Sequence, residues 1–269
     1  PVRPTASAPS DFAAFKARAD EIGLGELRRR IGAEPPGLAV EAELHDDIGA
    51  GDVFRRFEHV VLNPGDVRHI GEAVRAVGGD RVRPGRGRQP ILRFEGHYHG
   101  WGDEGLTGFA NPASTWNDSE HPASTHPSKG VIPEVMHHFV VARWNDPAHL
   151  RRLVDENKGQ LAAIIFESAL CNTCCIDPVD GLLAPLRALC DRDGMLMISD
   201  ETITGFRFGA SCAQGYYGFK PDLTILGKAI GGGTPFAAIG GTKAAMAKII
   251  SGESIHAGTL NANPLCLAA

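Results

Sequence analysis

Short apolar runs alternate with helical segments from Ile91 onward. The four clearest runs are Leu161–Phe166, Met195–Ser199, Leu223–Leu226 and Phe236–Ile239. Between the first two, the segment Gly181–Cys190 has leucines at helical spacing. Short, continuous apolar runs are typical of parallel strands that are buried on both faces. The pattern predicts an α/β domain, with a mostly parallel sheet and helices on both faces.

The earlier part of the chain has a different pattern. Apolar spacing predicts helices at Asp11–Ile22 and Gly25–Ile31. The stretch Arg68–Arg93 is basic and rich in glycine and proline, which disfavours a helix. Its arginines have no interleaved aromatic residues, so a solvated loop is favoured over a phosphate or nucleic-acid patch. We therefore divide the chain into a helical N-terminal segment, 1–60, and one larger domain, 61–269.

The composition limits which classes of protein this chain can belong to. The chain has 269 residues, 43% of them hydrophobic, which suffices for a substantial core. A net charge of -5 and a pI near 6.1 give no reason to expect a nucleic-acid or membrane-surface partner. No apolar run approaches the roughly 20 residues that span a bilayer, and Pro1–Ser10 lacks the apolar centre of a signal peptide. We expect a cytoplasmic protein.

Three of the six cysteines form a Cys-x-x-Cys-Cys cluster, at Cys171, Cys174 and Cys175. Such a cluster can serve metal or redox chemistry, but no second Cys/His pair lies at zinc-finger spacing. Six cysteines are also too sparse for a disulfide scaffold. The sequence therefore predicts no metal site and reduced cysteines.

Charged residues follow three of the apolar runs almost directly. They are Glu167, Asp200 and Lys228. In open parallel sheets the carboxyl ends of the strands form the ligand crevice, so these groups are expected to converge on one site. The alternative is that each is merely the first polar residue after a buried strand.

Two segments around these residues carry a family resemblance. Ile198–Arg207 reads ISDETITGFR, and Pro221–Gly233 reads PDLTILGKAIGGG. They resemble the two signature segments of class III aminotransferases, which are fold type I pyridoxal-phosphate enzymes. Two flanking stretches, Arg93–Trp101 and Ala257–Pro264, extend the match in the same order, over roughly Ile91–Ala269. Within the class, the sequence looks most like the glutamate-1-semialdehyde aminomutase and β-amino acid transaminase branch.

The resemblance implies roles for individual residues around pyridoxal 5'-phosphate. Lys228 would form the Schiff base and move the substrate proton, and Asp200 would keep the pyridine nitrogen protonated. Tyr98 would stack on the cofactor ring, with Thr202 on the opposite face, where the family usually has valine. Thr259 matches a residue that reaches the phosphate from the neighbouring subunit, which implies a homodimer. Further cofactor-binding positions are His99, Glu167, Asn172 and Gly71.

The sequence departs from the family pattern in several places. Ile70-Gly71-Glu72-Ala73 stands where the family's phosphate turn has a hydroxyl residue at the position of Gly71. Ser168 replaces a proline, and Ala262 replaces a glycine. The sequence ends at Ala269, where family members continue into a C-terminal domain, so that small domain is expected to be absent.

Together these features predict a fold type I, pyridoxal-phosphate-dependent aminotransferase or aminomutase. Its substrate would be a small amino acid or amino-carbonyl metabolite. The alternative is a truncated or degenerate relative that serves as a structural or regulatory partner, which the missing hydroxyl at Gly71 motivates.

Overall fold

A seven-stranded sheet organises the protein, in the order β1-β7-β6-β5-β4-β2-β3. The computed structural model describes residues 59–64, 90–110, 122, 129–131 and 133–252. The strands are β1 (His59–Pro64), β2 (Ile91–Phe94), β3 (Phe139–Ala142), β4 (Ala163–Glu167), β5 (Leu196–Glu201), β6 (Leu223–Leu226) and β7 (Phe236–Gly241).

Short helices connect or cover these strands. Among the described residues, the α-helices are α1 (Asp103–Leu106), α2 (Pro133–Met136), α3 (Pro147–Glu156), α4 (Leu183–Asp193), α5 (Cys212–Tyr216) and α6 (Lys243–Ser251). A 3-10 helix, Lys228–Gly231, follows β6. Local signals fix two of the longer helices: Asp146 caps α3 by accepting the His149 N–H at 2.8 Å, and Gly194 ends α4 in the left-handed conformation.

Most strand pairs are parallel, as the sequence predicts. The pairs β2–β3, β2–β4, β4–β5 and β5–β6 are parallel. The prediction of a parallel strand at Phe236–Ile239 is wrong, because β7 runs antiparallel to both β6 and β1. The reason is the short connection, residues 227–235, since a parallel crossover needs a dozen or more residues.

The two faces of the sheet bury different side chains, because successive residues of a strand point to opposite sides. Ile165 and Ile198 face the side covered by Met246 of α6. Their neighbours Ile164 and Met197 face the other side, which α3 and α4 cover. This arrangement confirms the prediction of helices on both faces.

Several predictions concern residues that the structure does not describe. The predicted helices at 11–22 and 25–31, and the residues Gly71 and Thr259, lie outside the described residues. The predicted loop Arg68–Arg93 is wrong at its end, because positions 91–93 belong to β2, where Arg93 is buried.

In the described part of the chain, no helix is long and apolar enough to cross a bilayer.

Candidate active site

The carboxyl ends of β4, β5 and β6 bring the predicted residues together. Glu167 and Asp200 are register partners on β4 and β5, and Asp200 pairs with Ile225 on β6. Lys228 follows the end of β6 by two residues. The charged groups therefore meet at one edge of the sheet, as the strand-end pattern predicts.

Asp200 is buried and doubly held, with only 3% of its surface exposed. Its Oδ2 lies 2.7 Å from Nδ1 of His99, and its Oδ1 accepts the N–H of Thr202 at 3.0 Å. Burial opposes ionisation, but the hydrogen bonds from His99 and Thr202 outweigh it and lower the pKa of Asp200 below its usual value. A carboxylate accepts about four hydrogen bonds, so Asp200 can accept another charged donor.

Polar atoms close to Asp200 remain without a regular hydrogen bond among the described residues. One is Nε2 of the buried His99. Another is the buried hydroxyl of Thr202, which lies near enough to Asp200 to help lower its pKa. Buried polar atoms are normally paired, so Nε2 of His99 is available to a bound group.

Glu201, next to Asp200, points the other way because it is the following residue of the strand. Its carboxylate accepts the N–H groups of Ala213 at 3.1 Å and Gln214 at 2.8 Å, and the hydroxyl of Thr204. Burial raises the pKa of Glu201. This acid therefore anchors the segment after β5, while Asp200 faces the site.

Glu167 joins two segments that carry predicted cofactor residues. Its Oε1 accepts the Tyr98 N–H at 2.7 Å and the Asn172 side-chain amide at 2.9 Å. Its Oε2 accepts the N–H groups of Cys171 at 2.9 Å and Asn172 at 3.3 Å. Both oxygens are thus occupied by protein donors, and the carboxylate fixes the Tyr98 and Asn172 segments relative to each other.

The buried His97 supports the segment that carries Glu167. His97 Nδ1 accepts the Glu167 N–H at 2.9 Å, and its ring lies edge-on to Trp144 with centroids 4.6 Å apart. Burial, followed by the nearby His99 and Arg93, lowers the pKa of His97 well below its usual value, so the ring is neutral. A neutral ring can accept at Nδ1, as this contact requires.

Arg93 is 1% exposed and donates to the carbonyl oxygens of Glu104 and Gly105 at 3.0 Å and to that of His97. Burial lowers its pKa to about 9, against the attraction of Glu167 and Asp200. Sequence reasoning left His97 out of the catalytic set and gave Arg93 no role. The available signal was an arginine in a fully buried strand, which requires internal partners.

Lys228 has an unusual backbone conformation. It is exposed, begins the 3-10 helix and has a φ of +51°, in the left-handed region that side chains other than glycine rarely adopt. A Cβ on the preceding Gly227 would lie 3.1 Å from Cγ2 of Thr202, so the glycine allows close packing against this side chain. Local strain of this kind clusters at functional sites.

Tyr98 follows the end of β2 by four residues. It is half-buried, and its ring meets Phe109 at a centroid distance of 5.2 Å and an angle of 68°. The seven predicted residues within the described part therefore lie along one edge of the sheet: Tyr98, His99, Glu167, Asn172, Asp200, Thr202 and Lys228.

The donor and acceptor set fits pyridoxal phosphate. Asp200 is ionised and has free acceptor capacity, which suits a protonated pyridine nitrogen. His99 and Thr202 carry buried polar atoms without regular partners. Lys228 supplies an exposed amine beyond the end of the adjacent strand. In the described residues, no group of three or more His, Cys, Asp or Glu side chains is arranged to hold a metal ion.

The fold is shared with solved transaminases and an aminomutase. An omega-transaminase from Sphaerobacter thermophilus aligns at a TM-score of 0.70 and 23% identity, over 97% of this chain and 72% of that one. A β-phenylalanine aminotransferase from Variovorax paradoxus aligns at 0.63 and 24%, over 98% and 53%. A glutamate-1-semialdehyde aminomutase from Pseudomonas aeruginosa PAO1 aligns at 0.63 and 24%, over 92% and 57%.

The mostly parallel sheet with helices on both faces matches the fold of pyridoxal-phosphate transferases of fold type I. The aminotransferase class-III family profile matches residues 62–269. The chain belongs to this family, whose members transfer amino groups with pyridoxal phosphate. The resemblance was expected to start at Ile91, and the profile match begins about thirty residues earlier, at position 62.

Proposed function

We propose that this protein uses Lys228 and Asp200 to transfer or relocate an amino group on a small amino acid or amino-carbonyl metabolite. The observation that carries the proposal is the buried, ionised Asp200, held by His99 and Thr202 at the same sheet edge as Lys228. Family membership supports the reaction class, and this geometry supports the choice of residues.

When bound, pyridoxal phosphate would supply a positively charged ring that withdraws electrons from the substrate carbon that loses a proton. Asp200 stabilises that charge, because its lowered pKa keeps a carboxylate facing the site at neutral pH. His99 orients the carboxylate through Oδ2. Lys228 Nζ would hold the cofactor, and the same amine would accept and return the substrate proton.

Glu167 acts as a positioning residue. Its four hydrogen bonds connect the backbone of Tyr98 to the backbone of Cys171 and to the backbone and side chain of Asn172. Tyr98 is proposed to lie flat against the cofactor ring, and Asn172 is proposed to bind the cofactor. Glu167 thus sets the distance between two binding elements that are far apart in sequence.

The remaining assignments concern assembly and phosphate binding. The protein is proposed to be a cytoplasmic homodimer without nucleic-acid or membrane partners. Thr259 would reach the partner's phosphate, and Gly71 would lie in a weakened phosphate turn. Sedimentation at micromolar concentration tests the dimer, and a monomer would contradict it.

A single-turnover reaction tests the proposed function. The protein loaded with pyridoxal phosphate is mixed with an excess of α-, β- or ω-amino acids, and keto or aldehyde product is measured. Stoichiometric product from at least one donor class is expected from a transaminase. An aminomutase would instead isomerise an amino-carbonyl compound without an external acceptor. Bound cofactor with neither product would contradict the proposal.

A further inference from the structure

The Cys-x-x-Cys-Cys cluster forms a closed loop beside the candidate active site. Leu170 and Ile176 form an isolated antiparallel bridge, with N–H to carbonyl distances of 2.9 Å and 3.1 Å. Cys171 and Cys175 are the first and last residues inside this bridge. The Cys175 Sγ lies 4.0 Å from the Cys171 carbonyl oxygen, so the thiol of Cys175 reaches back across the loop.

This placement brings the two thiols close to each other. The Cys175 thiol lies near enough to the Cys171 thiol to add to the burial that raises the pKa of Cys171. A disulfide requires two neighbouring cysteine side chains of this kind. The intermediate Cys174 and the final Cys175 have φ values of +61° and +53°, and these left-handed residues turn the chain back towards Cys171.

The two cysteines differ in exposure. Cys175 is exposed, whereas Cys171 is partly buried. Burial, and then the neighbouring Cys175 thiol, raise the pKa of Cys171 to about 12. Thiol–disulfide exchange begins with attack by an accessible thiolate, so Cys175 is the first to react and Cys171 is the second.

We propose that Cys171 and Cys175 are a redox-active pair that forms a reversible intramolecular disulfide with a small disulfide oxidant such as glutathione disulfide. The Cys175 thiolate attacks one sulfur of the oxidant, forming a mixed disulfide and releasing one glutathione. The Cys171 sulfur then attacks Cys175 Sγ and releases the second glutathione. The two cysteine protons end on the two released thiols, so the protein pair loses two electrons and the oxidant gains two.

The pair is linked to the site through Glu167. The N–H groups of Cys171 and of the next residue, Asn172, both donate to Glu167 Oε2. A disulfide therefore forms in the same loop that presents Asn172. The proposal itself rests on the loop alone, so it can be tested on protein without cofactor.

Mass spectrometry of the full chain tests the proposal. The reduced protein is incubated with glutathione disulfide, quenched with acid, digested and fragmented. We expect the peptide that contains 171–175 to lose two hydrogens, with the bridge assigned to Cys171 and Cys175, and dithiothreitol to restore it. A wild-type protein that carries only glutathione adducts, or a bridge that includes Cys174, would overturn the proposal.

Matched serine variants strengthen the assignment. Cys174→Ser should keep the loss of two hydrogens, because Cys174 takes no part in the bridge. Cys175→Ser should stop at unbridged thiols or glutathione adducts. A Cys175→Ser protein that still forms a bridge in this peptide would contradict the proposed pair. The wild-type mapping decides the question even where a variant fails to fold.

Discussion

The positioning role of Glu167 can be tested with Glu167→Gln, because this substitution changes the charge and the donor pattern of the side chain but not its size. The wild-type oxygens accept two donors each. Glutamine has one oxygen, so two of these donors face an NH2 group in either orientation. We expect the variant to be less stable and to bind pyridoxal phosphate more weakly than wild type.

The size of the effect follows from the least costly orientation. If the new NH2 replaces Oε1, Asn172 can rotate its own amide and accept from it. Only the Tyr98 N–H, which lies 2.7 Å from Oε1 in the wild type, then loses its partner. Losing one hydrogen bond to a charged group costs about 1.5 to 3 kcal/mol. The opposite orientation leaves two backbone N–H groups unpaired and costs more.

Urea unfolding and cofactor titration measure the two effects. The free energy of unfolding should fall by about 1.5 to 3 kcal/mol, and the affinity for pyridoxal phosphate should fall with it. Glu134→Gln, the same change at an exposed position of α2, should stay within about 0.5 kcal/mol of wild type. A Glu167→Gln protein with wild-type stability and affinity would refute the positioning role.

Three further predictions address other groups. Asp200→Asn should still bind cofactor but slow the single-turnover reaction by orders of magnitude; an unchanged rate would count against its role. His97 stays neutral when folded, so wild-type stability should fall as pH drops below the ordinary pKa of 6.5. His97→Asn, which keeps the acceptor, should remove up to about 1.4 kcal/mol per pH unit of that slope in urea unfolding; an identical slope would argue against it. Gly71→Ser should tighten pyridoxal phosphate binding about tenfold to a hundredfold; a titration with equal gains for unphosphorylated pyridoxal would place the phosphate turn elsewhere.

The strands and the charged residues at their ends could be predicted from local sequence. Continuous apolar runs marked β4, β5 and β6, and the charged residue one or two positions after each run indicated Glu167, Asp200 and Lys228. The direction of β7 was missed because apolar runs carry no orientation. Only the short connection, 227–235, excludes a parallel crossover.

The partners of these residues could not be predicted in the same way. Glu167 binds Tyr98 across 69 positions, and Asp200 binds His99 across 101. Such pairs depend on how the strand ends meet, which no local pattern records. The resemblance placed both partners at the cofactor, whereas the structure shows their contacts to the two acids. Arg93 was missed for the same reason, since two of its acceptors are carbonyl oxygens of the α1 segment.

The link between Lys228 and the cofactor tests the central claim most directly. The protein is incubated with pyridoxal phosphate, reduced with borohydride, digested and analysed by mass spectrometry, with the visible absorption recorded before reduction. We predict a yellow protein that carries one reduced cofactor on Lys228, and a Lys228→Ala protein that lacks both the absorption and the label. A colourless wild-type protein, a label on another lysine, or an unchanged absorption in Lys228→Ala would contradict the account.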